Sequence, residues 1–252
     1  MVFLTEFLTV YALSLAVYFA TAFLMLAWGK ARPDLKIQKR EARPEEVRRD
    51  ITQSLFCMAY ISALFAGGWW LNGTLGLGFQ VKHPSFWHGA LSFVVSMLLY
   101  DTWFYWTHRL LHWKPLFVRM HRRHHMSITP TVWSTNHETF LDNLFMQSYW
   151  LVAHFLFPIG WAPLLLHKLY DQVTGIIGHS GYEFGGFFLV PPSPLASTTN
   201  HDQHHRYFLC NYAIHFTLWD RLMGTLHPSH DSELVTNLKR ASAPLAERAP
   251  EI

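Results

Sequence analysis

Three short runs of histidine are the residues in this chain best suited to chemistry. They are His108-Arg-Leu-Leu-His112, His121-Arg-Arg-His124-His125 and His201-Asp-Gln-His204-His205, with spacings H-x3-H, H-x2-H-H and H-x2-H-H. On an α-helix, positions i, i+3 and i+4 share a face. Each run therefore stacks its rings on one side of a short helix, and eight imidazoles from three segments can converge. Neutral imidazole is a ligand for iron, zinc, copper or nickel. One four-coordinate metal uses at most four such ligands, so eight suggest two metals, each with about four nitrogens and room for an open position. Soluble di-iron bundles use glutamates with Glu-x-x-His pairs, and this sequence contains no Glu-x-x-His. The expected site is nitrogen-rich and strongly positive. Asp101, Glu138, Glu183 and Asp202 are the acids expected to accept from the distal ring N–H groups and offset that charge.

The elements that must carry these runs are apolar. Of 252 residues, 50% are hydrophobic, 16% aromatic and only 15% charged, against roughly 25% charged in an average soluble protein. Such a composition excludes a disordered chain. A formal net charge of +3 is too small to argue for nucleic acid as a partner. Cys57 and Cys210 form no CxxC pair and cannot build a disulfide framework. Phe3 to Trp28 is almost wholly apolar and long enough to cross a hydrocarbon layer of ~30 Å. It lacks a basic leader and a clear cleavage site, and reads as an uncleaved span. A second span is expected at about Leu55–Leu71, ended by the turn signal Asn72-Gly73-Thr74. A third, at about Phe86–Thr107, runs straight into His108. The stretch Leu144–Tyr170 is interrupted by Pro158, Gly160 and Pro163, and its first leg is too short to cross. It reads as a helical hairpin that dips in and returns near Gly178.

The loops set an orientation. The stretch from Lys30 to Asp50 holds eight basic residues, whereas Asn72 to Ser85 holds only Lys82. The positive-inside rule puts the first loop in the cytoplasm. Three crossings and a hairpin then bring residues 108–143 and 178–252 to that same face. The fold expected is all-α: an integral membrane helical protein with about three transmembrane spans plus a helical hairpin, and a cytoplasmic helical cap carrying the histidines. The whole chain, 1–252, reads as one domain, with anchor spans over 1–107, the first two histidine runs in 108–143, the hairpin in 144–177, the third run in 178–225 and a tail over 226–252. His83, His88, His154, His167, His215, His227 and His230 share no spacing with the runs and are expected at interfaces or in solvent. Lys168 and Asp171, three apart on one helix face, are expected to pair with each other. Arg122, Arg123 and the basic stretch suit lipid headgroups, with an acidic electron donor as the sharper alternative.

The order H-x3-H, H-x2-H-H, apolar hairpin, H-x2-H-H resembles the sterol desaturase and fatty acid hydroxylase superfamily of membrane di-iron oxygenases, over roughly Tyr100 to Thr225. Tyr100-Asp-Thr-Trp-Phe-Tyr-Trp-Thr-His108-Arg-Leu-Leu-His112 resembles its third-span motif. His179-Ser-Gly-Tyr-Glu183, Asn211-Tyr212 and Trp219-Asp-Arg-Leu-Met-Gly-Thr225 resemble the C4-methylsterol oxidase branch in particular. Where that branch has Ala-His-Pro-x-Glu, this chain has Thr135-Asn136-His137-Glu138-Thr139. The resemblance implies His179 and His137 as further ligands. It also implies two iron ions, which zinc can replace in a purified sample. The implied activity is O2-dependent hydroxylation or desaturation of a C–H bond in a lipid, a sterol or a fatty acyl or polar lipid, at a bacterial inner membrane or the endoplasmic reticulum. The chain shows no flavin or nicotinamide fingerprint, so electrons are expected from a separate cytochrome b5, ferredoxin or reductase. Two alternatives stay open: a carotenoid-ring hydroxylase, and a non-catalytic membrane protein holding metal or haem.

Overall fold

The computed structural model describes residues 2–79, 81, 85–185 and 189–242. Lys82, His83 and the tail beyond Ser242 lie outside the described residues. Regular structure among the described residues is helical, with two isolated bridges, Lys36 to Tyr182 and Leu195 to Phe216. Helix α1 covers Val2–Ala31 and α2 covers Pro44–Leu75. These two are long and apolar enough to cross a membrane. At 30 residues, α1 is about 45 Å long. Only one stripe of it is buried: Val10, Ser14, Tyr18, Ala22 and Gly29. Leu4, Leu8, Phe23, Leu24 and Leu26 are exposed around it, the reverse of a helix that meets water.

Helix α3 covers Phe86–Leu111, with Ser85 capping its first turn by accepting from the His88 amide. It has the length expected of a third crossing. It falls short of the apolarity of α1 and α2 because its buried stripe is polar, with Ser92, Ser96, Asp101 and His108. A single turn, α4 (Lys114–Leu116), leads into a π-helical turn at Phe117–His121 and a 3-10 turn at His124–Met126. Then follow α5 (Phe140–Met146), α6 (Tyr149–Leu156), α7 (Trp161–His179), α8 (Thr198–Tyr207), α9 (Leu218–Leu222) and α10 (His230–Ser242).

Several boundaries differ from expectation. The basic loop shrinks, because α1 runs to Ala31 and α2 starts at Pro44, whose missing N–H suits a first helical position. Asn72, expected to end the second span, lies inside α2. Its side chain accepts from the Gly78 amide and donates to the Phe79 carbonyl, and the helix stops one turn later at left-handed Gly76. The hairpin's first leg is two helices, α5 and α6, with a break at Gln147-Ser148. Its second leg, α7, tolerates Pro163 within its first turn and continues to His179.

Helix α1 packs on α2 and α7, α2 on α6, and α3 on α7. Gly68 lets α2 lie directly on the Leu151 backbone, where a Cβ would collide, the small-residue contact that membrane helices favour. A core of Phe65, Tyr100, Phe104, Tyr149, Trp150 and Leu164 fills the space between α2, α3, α6 and α7. Four of the unpaired histidines are buried, not solvated. His154 packs edge-on to Trp69, His167 bonds to Ser96 Oγ at 2.7 Å, and His215 and His230 are also enclosed. Lys168 does not pair with Asp171. It donates to Ser14 Oγ on α1 and to Gln172 Oε1.

Candidate metal centre

The last turn of α3 presents His108, and its C-cap is His112. The second run does not lie on a regular α-helix. A π turn, closed by the Arg122 amide donating to the Phe117 carbonyl at 2.7 Å, carries His121, and the following 3-10 turn carries His124 and His125. Widened turns of this kind occur mostly at functional sites. The third run sits on α8, whose first turn is capped by Ser197 accepting from the Asn200 amide at 3.2 Å. His179 is the last residue of α7.

These elements gather nine imidazoles into two adjacent groups. One holds His108, His112, His121, His125 and His204, and the other His124, His179, His201 and His205. Within each group one nitrogen per ring lies within 4.8 Å of every other. The repeated H-x2-H-H spacing has a structural meaning: each run sends its i and i+4 rings to one group and its i+3 ring to the other. His121 and His125 join the first group and His124 the second. His201 and His205 join the second and His204 the first. The walls of the two groups touch, with ring centroids of His124 and His205 at 4.6 Å and of His125 and His204 at 4.7 Å.

Four rings are oriented through Nδ1. His121 donates to the Asp142 carboxylate at 2.9 Å, His108 to the Tyr212 carbonyl at 2.8 Å, and His204 and His179 to the carbonyls of Cys210 and Gly175, each at 2.7 Å. An oxygen acceptor requires the proton on Nδ1, which leaves the Nε2 lone pair facing inward. Burial keeps the rings neutral: it pushes His121 and His204 down to about 3, and lowers His125, His201 and His205 well below the usual range, helped by repulsion from neighbouring rings. The inward nitrogens nonetheless sit close together. Nε2 to Nε2 is 3.0 Å for His108–His121, 3.1 Å for His125–His204, 2.9 Å for His179–His201 and 3.0 Å for His201–His205. For His108 and His121 neither nitrogen carries a proton to share, so the contact is two lone pairs aimed at one point. A cation resolves it. With metal–nitrogen bonds of about 2.1 Å, ligands at right angles stand about 3.0 Å apart and tetrahedral ones about 3.4 Å. The observed spacings lie near the former, and the His112–His125 separation of 3.2 Å falls between the two.

The remaining expected residues lie elsewhere. His137 is fully buried but outside both groups, with Nδ1 facing Asp50 Oδ1 at 3.4 Å. Asp101 accepts from the amides of Ile214, His215 and Phe216 and so pins that segment to α3. Glu183 accepts from the amide and hydroxyl of Thr199 and holds the start of α8. Asp202 takes Gln38 and Arg206. Glu138 is buried with Oε2 unpartnered. The carboxylate that does hold a ring is Asp142, in the first turn of α5 behind the Thr139 cap. Its one sequence signal is an acid at the mouth of an apolar stretch.

The groups differ in access. Phe117, Phe208 and Tyr212 pack on the rings of the five-membered group. A cavity of about 40 Å³ borders both groups, through His108 of the first and His124, His179 and His201 of the second, whereas a cleft of about 360 Å³ reaches only His179 and His201 among these rings. The cleft is mainly apolar, with Met25, Tyr170, Phe184, Leu189 and Ile214 in its wall, and falls in the size range of small-molecule sites, ~300–1,000 Å³.

Comparison with known proteins agrees with the histidine pattern. The chain is 32% identical over 162 residues to methylsterol monooxygenase erg25A of Aspergillus fumigatus, covering 60% of this chain and 52% of that protein. It is 27% identical over 187 residues to human lathosterol oxidase, covering 71% and 61%. It is 27% identical over 184 residues to the Delta(7)-sterol 5(6)-desaturase of Leptosphaeria maculans, covering 71% and 50%. The aligned part thus spans about half the length of these relatives. No solved structure matches the chain. The family profile described as fatty acid hydroxylase matches residues 93–225, a segment that contains all nine gathered histidines. With more than half its length so matched, the chain belongs to the fatty acid hydroxylase family.

Proposed function

We propose that the protein is a membrane-bound non-haem di-iron oxygenase that uses O2 and external electrons to hydroxylate or desaturate a C–H bond of a sterol-type lipid. The observation that carries this reading is the pair of adjacent imidazole groups, one of them bordering an apolar cleft. His108, His112, His121, His125 and His204 hold one iron, and His124, His179, His201 and His205 hold the other. Iron so bound supplies the O2 activation that no side chain can perform. The chain's own residues bind and orient. Nδ1 contacts fix the rings, the cleft admits an apolar substrate from the bilayer, and the aromatic cover of the five-membered group keeps water out.

Several features support this reading. Methylsterol monooxygenases, a lathosterol oxidase and a sterol desaturase are among the relatives. The crowding of the rings disfavours haem, since a macrocycle between two axial histidines leaves no space for a third imidazole at 3 Å separations like those seen here. In the membrane, α1, α2 and α3 cross and α5–α7 form the returning hairpin. The histidines lie on the cytoplasmic face, where a separate redox protein delivers electrons.

The test is turnover of iron-loaded protein in lipid with a reducing partner, a sterol and isotopically labelled O2. Label in the lipid identifies hydroxylation, and label in water with a new double bond identifies desaturation. Iron-loaded, reduced protein that consumes no O2 with any sterol or acyl lipid overturns the reading.

A further inference from the structure

The small cavity between the histidines and the membrane helices has a mixed wall, in which charged and polar residues interrupt apolar ones such as Phe104, Met146 and Trp150. Tyr100 of α3, Glu138, and Lys168, Asp171 and Gln172 of α7 surround it, and it reaches His124, His179 and His201. Lys168 and Glu138 are 3% and 4% exposed. Ionisable groups are costly at such a place and mark a function by default. Part of the wall is internally satisfied. Lys168 donates to Gln172 Oε1 and Ser14 Oγ, and Tyr100 Oη lies 3.3 Å from Gln147 Oε1 and 3.4 Å from Asp171 Oδ2. Part is not. Glu138 Oε2 and Asp171 Oδ1 have no hydrogen-bond partner, and His215 Nε2, 3.6 Å from Asp171 Oδ1, has none either. A cavity of about 40 Å³ has room for roughly two or three waters at ~10–15 Å³ each, and a buried water needs two to four polar partners. The orphaned oxygens supply them.

Asp171, Gly175 and His179 follow one face of α7 at i, i+4 and i+8. The intervening position is glycine, and a Cβ there would meet Thr135 Cγ2 at 2.9 Å. The glycine lets Thr135 pack close, all three residues line the cavity, and the carboxyl and the ring stand about 12 Å apart along the helix axis at ~1.5 Å per residue. That distance needs bridging waters.

We infer that this chamber is a built water site and that Asp171 holds a proton at Oδ1 and passes it along those waters toward the four-histidine group. The inference rests on the oxygenase reading above. Hydroxylation consumes one C–H bond, O2, two electrons from the redox partner and two protons, and yields an alcohol and water. Desaturation consumes the same electrons and protons and yields an alkene and two waters. In both, the protons end in water, and they must reach a site whose other opening is a mainly apolar cleft. The charged and titratable groups around Asp171 are Lys168 and Tyr170 on its own helix, Tyr100 on α3, Glu138 in the same cavity wall and His215 from the segment pinned by Asp101. Tyr100 holds the carboxyl through Oδ2, and His215, whose Nε2 faces Oδ1, can return the proton it gives up.

The experiment compares wild type with Asp171→Asn in lipid, by infrared spectroscopy of the metal-free chain in H2O and D2O and by turnover of the iron-loaded chain. Wild type is expected to show protonated-carboxyl absorption that shifts in D2O, one component of which is missing from the difference spectrum of Asp171→Asn. Turnover of the variant should fall about 10²-fold, the low end for a positioned proton transfer, with iron content unchanged and electrons consumed without product. Asp171→Glu should keep a carboxyl band, at a shifted position, and recover part of the turnover. Carboxyl absorption undiminished in Asp171→Asn, or turnover by that variant equal to wild type, overturns the inference. Should Asp171→Asn fail to assemble, an Asp171→Glu band identical to wild type does the same. If wild type oxidises no lipid, the oxygenase reading fails, while the infrared comparison still decides where the proton resides.

Discussion

The five-membered and four-membered histidine groups are built from the same runs but are not equivalent. The first is nitrogen-saturated and enclosed. Three of its rings are anchored outward, to Asp142, Tyr212 and Cys210, and Phe117 and Phe208 cover it. The second has one fewer imidazole and faces an apolar cleft as well as the small cavity that His108 of the first group also borders. An open coordination position is what separates a reactive metal site from a structural one. In the proposed reading this asymmetry gives the two groups different work: the four-histidine group would meet the substrate, and the five-histidine group would support it through the interleaved runs.

Substitutions can break this comparison or sharpen it. The largest effect is expected for His124→Ala, which leaves three rings in the open group. Product should drop below detection and iron fall from about two per chain to about one, while the protein still inserts. His112→Ala leaves four rings in the enclosed group and should retain more of its metal. Equal losses in both variants would erase the distinction between the groups. Next is Asp142→Asn, which weakens the acceptor behind His121. Loss of such a partner typically costs ~10–100-fold in metal affinity, and chelator competition should show that cost in the enclosed group alone.

A smaller effect is expected for Thr174→Trp, which fills the cleft wall without touching a ring. KM for the lipid should rise roughly tenfold, a change of ~1.4 kcal/mol, with iron content unchanged. Unaltered kinetics would mean that substrate arrives by another route. The smallest is expected for Glu183→Gln, which removes the charge bonded to Thr199 at the start of α8. A cost of about 1 kcal/mol, as for a lost helix cap, should lower the melting temperature by roughly 2–4 °C, with both metals kept.

Much of the site was legible because its spacing is periodic. The i, i+3, i+4 pattern of the second and third runs placed six rings on common faces, and those rings are the ones that interleave. What periodicity could not reveal was the division between the groups, since it depends on how α8 lies against the turns after α3. The four acids were chosen for closeness in sequence. Asp101 and Glu183 instead satisfy backbone amides, because an unpaired buried N–H is costly: the amides of Ile214–Phe216, and that of Thr199 in the first turn of α8, where helix N–H groups have no partner within the helix. Asp142 escaped notice because it is 21 residues from the ring it holds. The π turn at Phe117–His121 leaves no compositional trace. In the fold, apolarity alone marked α1 and α2. The helix ends were misjudged where capping decided them, as at Asn72 and Gly76.

The central claim is that the interleaved imidazoles hold two separate metals. Anomalous scattering at the iron edge from crystals of the iron-loaded protein tests it most directly. Two peaks are predicted, one enclosed by ring nitrogens of His108, His112, His121, His125 and His204, the other by those of His124, His179, His201 and His205. A single peak between the groups, or iron bound away from both, would contradict the account.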